Sequence, residues 1–177
     1  PLLKGVQTNL YKCFLPTAWR LGNEKAVSGF LHPEGIYDDP KGGVLRESVY
    51  PRLRAHFQFA NELSLFAEVD HHTRYSINVY SNSHAIGFEH ISNLFSPKTI
   101  DTCHTDARQG EVPAVKDEME VNGRTRITWN TTGHRDRLLR IDNETLGLFA
   151  KLYDSEGTPA RQARLPALHA RQLREVL

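Results

Sequence analysis

Nine histidines and two cysteines are the side chains of this sequence that ligate metals or exchange protons near neutral pH, and their spacing follows no regular ligand pattern. The densest run, Asp70-His71-His72, and the trio His84, His90 and His104 are the starting points for a metal-hydrolase reading. No HExxH occurs, and His71 and His72 would point opposite ways on a strand, so solvated loop histidines are expected and no metal site is assigned. Cys13 and Cys103 are far apart and neither lies in a CxxC pair, which argues against a disulfide framework or a zinc site. Ser28-Gly29 and Ser64 lack the Gly-x-Ser-x-Gly elbow of a hydrolase nucleophile. His32 would become a general base only if burial and a partner tuned it, and the sequence by itself supplies neither.

Binding chemistry is better represented. Arg46, Arg52 and Arg54 form one basic group, and Arg161, Arg164, Arg171 and Arg174, opposed there only by Glu175, form a second. Each group suits contact with phosphates, and each equally suits a solvated helix face. Basic and acidic residues number 22 and 21, for a formal net charge of +1, so any nucleic-acid surface must be local. Trp19 and Trp129 are read as packing residues.

The elements that must position these side chains follow from periodicity. Gln7 to Leu21 places Leu10, Cys13, Phe14, Ala18 and Leu21 at helical spacing, interrupted by Pro16, where the helix is expected to kink or begin anew. Ala26 to Leu31 is a short apolar run of strand length, and the proline- and glycine-punctuated stretch from His32 to Gly43 is a loop at its carboxyl end. Val44 to His56, with Leu45, Val49 and Leu53 four apart, predicts an amphipathic helix. Phe57 to Leu65 and Tyr75 to Tyr80 predict strands separated by a polar loop. Gly87 to Ile100 is weakly strand-like and Thr102 to Asp117 irregular. Val121-Asn122-Gly123-Arg124 is a hairpin signal, Arg137 to Ile141 another strand, Asn143 to Tyr153 a helix capped by Asp142 or Asn143, and Pro166 to Leu177 a final helix.

At 177 residues and 39% hydrophobic, the chain can bury one core and a small appendage. Its apolar runs fall far short of the roughly 20 residues that span a bilayer, and no charged-then-apolar leader is seen, so a cytoplasmic protein is expected.

Three segments carry a family resemblance: Asn9-Leu10-Tyr11-Lys12-Cys13-Phe14, then Val27-Ser28-Gly29-Phe30-Leu31-His32-Pro33, then Asn61-Glu62-Leu63-Ser64-Leu65-Phe66. With the Leu-Arg helix between the second and third of these and the closing strand Tyr75 to Tyr80 after them, this order resembles the distal part of a gamma-class N6-adenine DNA methyltransferase domain from a large bifunctional restriction-modification methylase.

The resemblance implies an α/β fold: part of a class I, Rossmann-like S-adenosylmethionine-dependent methyltransferase sheet over residues 1–81, lacking its N-terminal half. A smaller mixed α+β extension over 82–177 would follow, with the hairpin near 121–124 and helices near 143–153 and 166–177. Phe66 would stack on the adenine turned out of the duplex, beside the strand-to-loop corner at Pro33, and Phe14 would border the adenine ring of S-adenosylmethionine. A strand-end aromatic in an α/β sheet also lies where ligands bind.

The family's glycine-containing cofactor loop and its Asn-Pro-Pro-Tyr-like tetrapeptide do not occur in these residues and are expected upstream. This chain alone is therefore expected neither to bind the cofactor nor to methylate. Its partners would be double-stranded DNA and the missing half, in cis or in trans, and the unpaired sheet edge invites oligomerisation. The competing reading is a non-catalytic DNA-binding or assembly module that pairs with a separate catalytic half.

Overall fold

The computed structural model describes residues 2–3, 5–7, 9–82, 84–105 and 110–176, with side chains up to residue 173. Helix α1 spans Leu10–Leu21 and runs through Pro16. The stripe that periodicity marks as its core face is turned outward: Leu10 is 71% exposed, Phe14 53% and Leu21 78%, while Lys12 and Leu15 are buried. Strand β1, Ser28–Pro33, leads through 3-10 turns at Glu34–Ile36 and Pro40–Gly42 into helix α2, Gly43–Val49.

The chain then departs from the helical expectation for Val44 to His56. Pro51 has no amide with which to continue α2, and Leu53–Ala60 is strand β2. Its buried positions include His56, Gln58 and Phe59. A 3-10 turn at Asn61–Leu63 and a loop lead to β3, Arg74–Tyr80, which is followed by β4, Gly87–Leu94.

A helix, α3, occupies Lys98–Thr105 where the sequence suggests strand and irregular chain. Strands β5, Lys116–Val121, and β6, Arg124–Trp129, form a hairpin whose turn is Asn122-Gly123. Both turn residues have positive φ, 53° and 70°, as a type I′ turn requires. Strand β7, Leu139–Asp142, runs into α4, Asn143–Tyr153, whose first turn is capped by Asp142 accepting from the Thr145 amide at 2.9 Å and the Thr145 hydroxyl at 2.8 Å. The last helix, α5, is Arg171–Val176, shorter than the predicted 166–177.

The fold is α/β, with a five-stranded sheet in the order β1-β3-β2-β4-β7 and a separate antiparallel sheet of β5 and β6. Strand β1 is an edge. Compact packing divides the chain into two interleaved units, the first comprising 1–56, 76–90 and 140–166, the second 57–75, 91–139 and 167–177.

In the first unit Tyr50 stacks on Phe88 at 5.8 Å and donates its hydroxyl to the Ala163 carbonyl, amid buried Leu45, Leu53, Ile141 and Phe149. In the second, Phe59 stacks on Tyr75 at 5.5 Å, and Phe95, Cys103 and Leu139 are buried. Each such aromatic contributes on the order of 1.5–3 kcal/mol by leaving water. Among the described residues no helix is long and apolar enough to cross a membrane.

Candidate functional site

Side chains alternate across a strand, so Asn78 and Tyr80 project from the same face of β3. In the first unit a buried polar layer is assembled from such positions and from the turn after β1. Glu34 meets His56 Nε2 at 3.2 Å, and His56 Nδ1 lies 2.8 Å from His90 Nδ1, with the two rings stacked at 5.0 Å.

A bond between two Nδ1 atoms holds one proton. With Glu34 accepting from His56 Nε2–H, His56 Nδ1 accepts from His90 Nδ1–H. His90 Nε2 is then a bare, buried lone pair with no hydrogen-bond partner among the described residues. Burial pushes the His90 imidazole down to about 3, and the neighbouring His56 pushes the same way.

A second chain of contacts adjoins the first. His32 Nδ1 faces the Pro33 carbonyl at 2.9 Å, and His32 Nε2 lies 3.1 Å from the Tyr80 hydroxyl. The Tyr80 and Tyr37 hydroxyls are 3.1 Å apart, and Tyr37 donates to Asn78 Oδ1 at 2.5 Å. Asn78 Nδ2 donates to the carbonyl and hydroxyl of Ser76, which fixes the amide's orientation.

Between His32 Nε2 and Asn78 there are three contacts and two hydroxyl protons. A neutral His32 leaves the chain one hydrogen short. Burial lowers the His32 pKa all the same, against the pull of the Pro33 carbonyl and Glu34, and it drives Tyr37 and Tyr80 well above the ordinary phenol range.

These bonds pin the loop that follows β1. Arg46 tightens it further, donating to the carbonyls of Ile36 at 3.0 Å, Asp39 at 2.7 Å and Gln162 at 2.9 Å. On the loop's outer side a cleft of about 890 Å³ is lined by Lys12, Gly35, Asp38, Asp39 and Lys41. Lys12 Nζ is buried against the Gln7 carbonyl at 3.3 Å and Asp39 at 3.8 Å. Tyr11 stacks on His32 at 5.2 Å, and its pKa is pushed up to about 12 by burial and by Asp38, Glu34 and Asp39. A Cβ at Gly35 would sit 3.1 Å from the Tyr11 hydroxyl, so the close approach favours glycine.

The second unit contributes a separate preorganised loop. Asn61 is fully buried; its Oδ1 accepts the Phe66 amide at 3.0 Å, and its Nδ2 donates to the carbonyls of Phe66 at 2.9 Å and Val69 at 2.8 Å. The loop is closed by the Asn61 amide on the Thr73 carbonyl at 3.1 Å. Phe66 therefore sits beyond the strand, in this loop, and not at the strand's last position. The residue is 41% exposed, its ring resting edge-on against Tyr75 at 5.1 Å, with exposed Leu63, Leu65 and Val69 as loop neighbours.

No family model, curated protein or solved structure matches the chain. Pro33 is exposed at the end of β1, and Phe14 is exposed on α1.

The arginines fare unequally. Arg46 is buried, with its Nε and Nη1 donors committed to carbonyls, and is a loop anchor rather than the phosphate contact expected from the sequence. Arg52 and Arg54 lie at and within β2, not on a helix. Arg52 sits over the Trp19 ring at 4.9 Å and donates to the Ser48 carbonyl, and Arg54 donates to the carbonyls of Leu53, Pro51 and Asn82. Arg164 pairs with Asp154 and Arg171 with Asp136, at 2.8 and 2.9 Å, while Arg161 is exposed. The Arg174 side chain lies outside the described residues.

Asp70, His71 and His72 sit in an exposed turn, so the two histidines do not diverge as they would on a strand. Their rings are 3.8 Å apart, and His72 lies 3.4 Å from Asp70. Sequence reasoning passed over Glu34, His56, Tyr37 and Asn61. The available signal for His56 was its alternation with Gln58, which the helical reading of Val44 to His56 concealed.

Proposed function

We propose that the chain is the distal portion of a site-specific DNA adenine-N6 methyltransferase of a restriction-modification system, with Phe66 as the platform for an adenine turned out of the duplex. The observation that carries this reading is the clamp of Asn61 on the backbone of Phe66. A buried amide spends two hydrogen bonds on the backbone of a solvent-facing aromatic and a third on the same loop at Val69, an arrangement suited to a binding surface and wasteful for a packing residue. A base leaving the stack loses a few kcal/mol, and an aromatic face returns roughly 1–3 kcal/mol of it.

The sheet supports the same reading. Its order, β1-β3-β2-β4-β7, is compatible with part of a Rossmann-like sheet. Among the described residues no strand pairs beyond β1, and the outward Leu10, Phe14 and Leu21 of α1 lie in the same unit as Val27, 69% exposed, and Leu31. Such a surface suits the docking of further strands and helices of one domain.

S-adenosylmethionine supplies the methyl group in this family. Phe14, exposed on α1, would border its adenine ring. The role assigned to this chain's own residues is to capture and orient the base. The alternative, a non-catalytic assembly module, draws on the same uncovered face of α1 and β1.

The test compares binding of the chain to a duplex bearing an adenine opposite an abasic site with binding to the fully paired duplex, by fluorescence anisotropy. Tighter binding to the unpaired adenine, lost by about tenfold or more in Phe66→Ala and retained in Phe66→Trp, is expected. Equal affinities for the two duplexes, or a preference untouched by Phe66→Ala, would overturn the base-platform reading and leave the assembly module.

A further inference from the structure

The hairpin of β5 and β6 in the second unit covers no core. Every residue of β5 and the first four of β6 are exposed. A two-stranded ribbon of this kind gains little from burial and is marginal by itself, so its stability must come from its base. There Trp129 packs on Phe95 at 4.6 Å, Lys116 lies over the Trp129 ring at 4.3 Å, and Asn130 donates to Asp117 at 2.8 Å. The type I′ turn at Asn122-Gly123 sets the register.

That register sorts charge by face. Met119 pairs with Arg126 and Val121 with Arg124, whereas Glu118 pairs with Ile127 and Glu120 with Thr125. Directly opposed residues share a face and successive pairs alternate. Toward the turn, one face of the ribbon therefore presents Arg124 and Arg126 with Met119 and Val121, and the other presents the two glutamates; at the base, Asp117 lies on the arginine face, hydrogen-bonded to Asn130, and Lys116 on the glutamate face, over the Trp129 ring. Among the described residues, neither guanidinium has an ion pair or hydrogen bond.

We propose that this ribbon is a DNA-reading arm whose Arg124 and Arg126 face enters the major groove. The inference rests on the DNA reading above and adds the element that reads sequence. The major groove, about 12 Å wide, admits a two-stranded ribbon, and six residues of strand reach about 20 Å. The planar arginine forks match the O6 and N7 acceptors of guanine, and the apolar side chains between them suit thymine methyls. The glutamate face repels phosphates, so only one orientation of the ribbon is attractive. Asp117 and Lys116 are engaged at the base, so the two free charges on the outer part of the arginine face are both positive, which favours a polyanion over an apolar protein partner.

The experiment measures binding of the full chain to a panel of fluorescent duplexes of differing sequence. Arg124→Ala with Arg126→Ala should weaken binding to the preferred duplex by about a hundredfold, roughly tenfold for each arginine, and level the affinities across the panel. Glu118→Gln with Glu120→Gln should leave affinity unchanged or tighten it. The ribbon is exposed, and unaltered circular dichroism establishes that each variant folds.

Affinities that ignore the arginine substitutions would overturn the proposal and make the ribbon a protein-docking arm. Equal losses in the glutamate variant, or no duplex binding by the chain, would also overturn it. The two readings separate cleanly, because loss of the unpaired-adenine preference in Phe66→Ala is independent of the sequence spread governed by Arg124 and Arg126.

Discussion

Asn61 holds Phe66 through both polar groups of that residue's backbone, its Oδ1 on the amide at 3.0 Å and its Nδ2 on the carbonyl at 2.9 Å. An exposed aromatic ring is thereby given a fixed position by a residue with no exposure of its own. Order at the loop comes from one buried side chain, and the loop's function depends on it.

Replacing Asn61 with Ala removes three part-buried hydrogen bonds, which should cost about 1–3 kcal/mol. Asn61→Asp keeps an acceptor for the Phe66 amide but sets a carboxylate against two carbonyls, and should be no better tolerated. Urea unfolding measures the cost, and hydrogen exchange at the Phe66 amide should accelerate in both variants. An Asn61→Ala protein as stable as the parent, with that amide still protected, would show that the clamp holds nothing.

The buried histidines predict acid lability. His90 titrates near its ordinary value when unfolded and is pushed down to about 3 when folded, and His32 is lowered in the same direction. Below about pH 6.5 the unfolded chain takes up protons that the folded chain refuses, so stability is full above that pH and falls as pH drops toward the folded value. Each such histidine contributes a slope of up to about 1.4 kcal/mol per pH unit. Denaturant unfolding between about pH 7 and about pH 4 should show this loss, and His90→Gln should flatten it by one histidine's share. An unchanged slope in His90→Gln would place the acid sensitivity elsewhere.

The open edge at β1 predicts self-association. Val27→Lys with Leu31→Lys puts charge just before and within this edge strand, which natural edges use to prevent pairing. Sedimentation should shift toward monomer while folding stability changes by no more than about 0.5 kcal/mol, the usual range for surface substitutions. Association that persists in the double variant would assign it to another surface.

Arg46 separates stability from DNA contact. Arg46→Ala strands the carbonyls of Ile36, Asp39 and Gln162 and should cost about 3 kcal/mol or more. A stable Arg46→Ala protein with weakened DNA binding would restore the phosphate role.

The elements legible in the sequence are those fixed by neighbours in the chain. Helix α4 follows from Asp142 as cap and the spacing of Leu146, Phe149, Ala150 and Tyr153, and the β5 to β6 turn from Asn122-Gly123. Misreadings arose where a local pattern ran across a boundary. The series Leu45, Val49, Leu53 continues at helical spacing past Pro51, although the chain has by then become a strand. On α1 the apolar stripe is real but faces outward, because periodicity identifies a face and not what covers it. The Glu34, His56 and His90 cluster joins residues 22 and 34 positions apart, on elements that only the sheet brings together. Asn61 lay within the segment that carried the resemblance, yet its role depends on a loop closure that the residue types do not announce.

The most direct test of the central claim is nuclear magnetic resonance of the chain with selectively labelled phenylalanine, titrated with a duplex bearing an unpaired adenine. The Phe66 ring protons should shift upfield and give nuclear Overhauser contacts to the adenine H2 or H8. Ring resonances of Phe66 that stay in place while DNA contacts arise elsewhere on the chain would contradict the account.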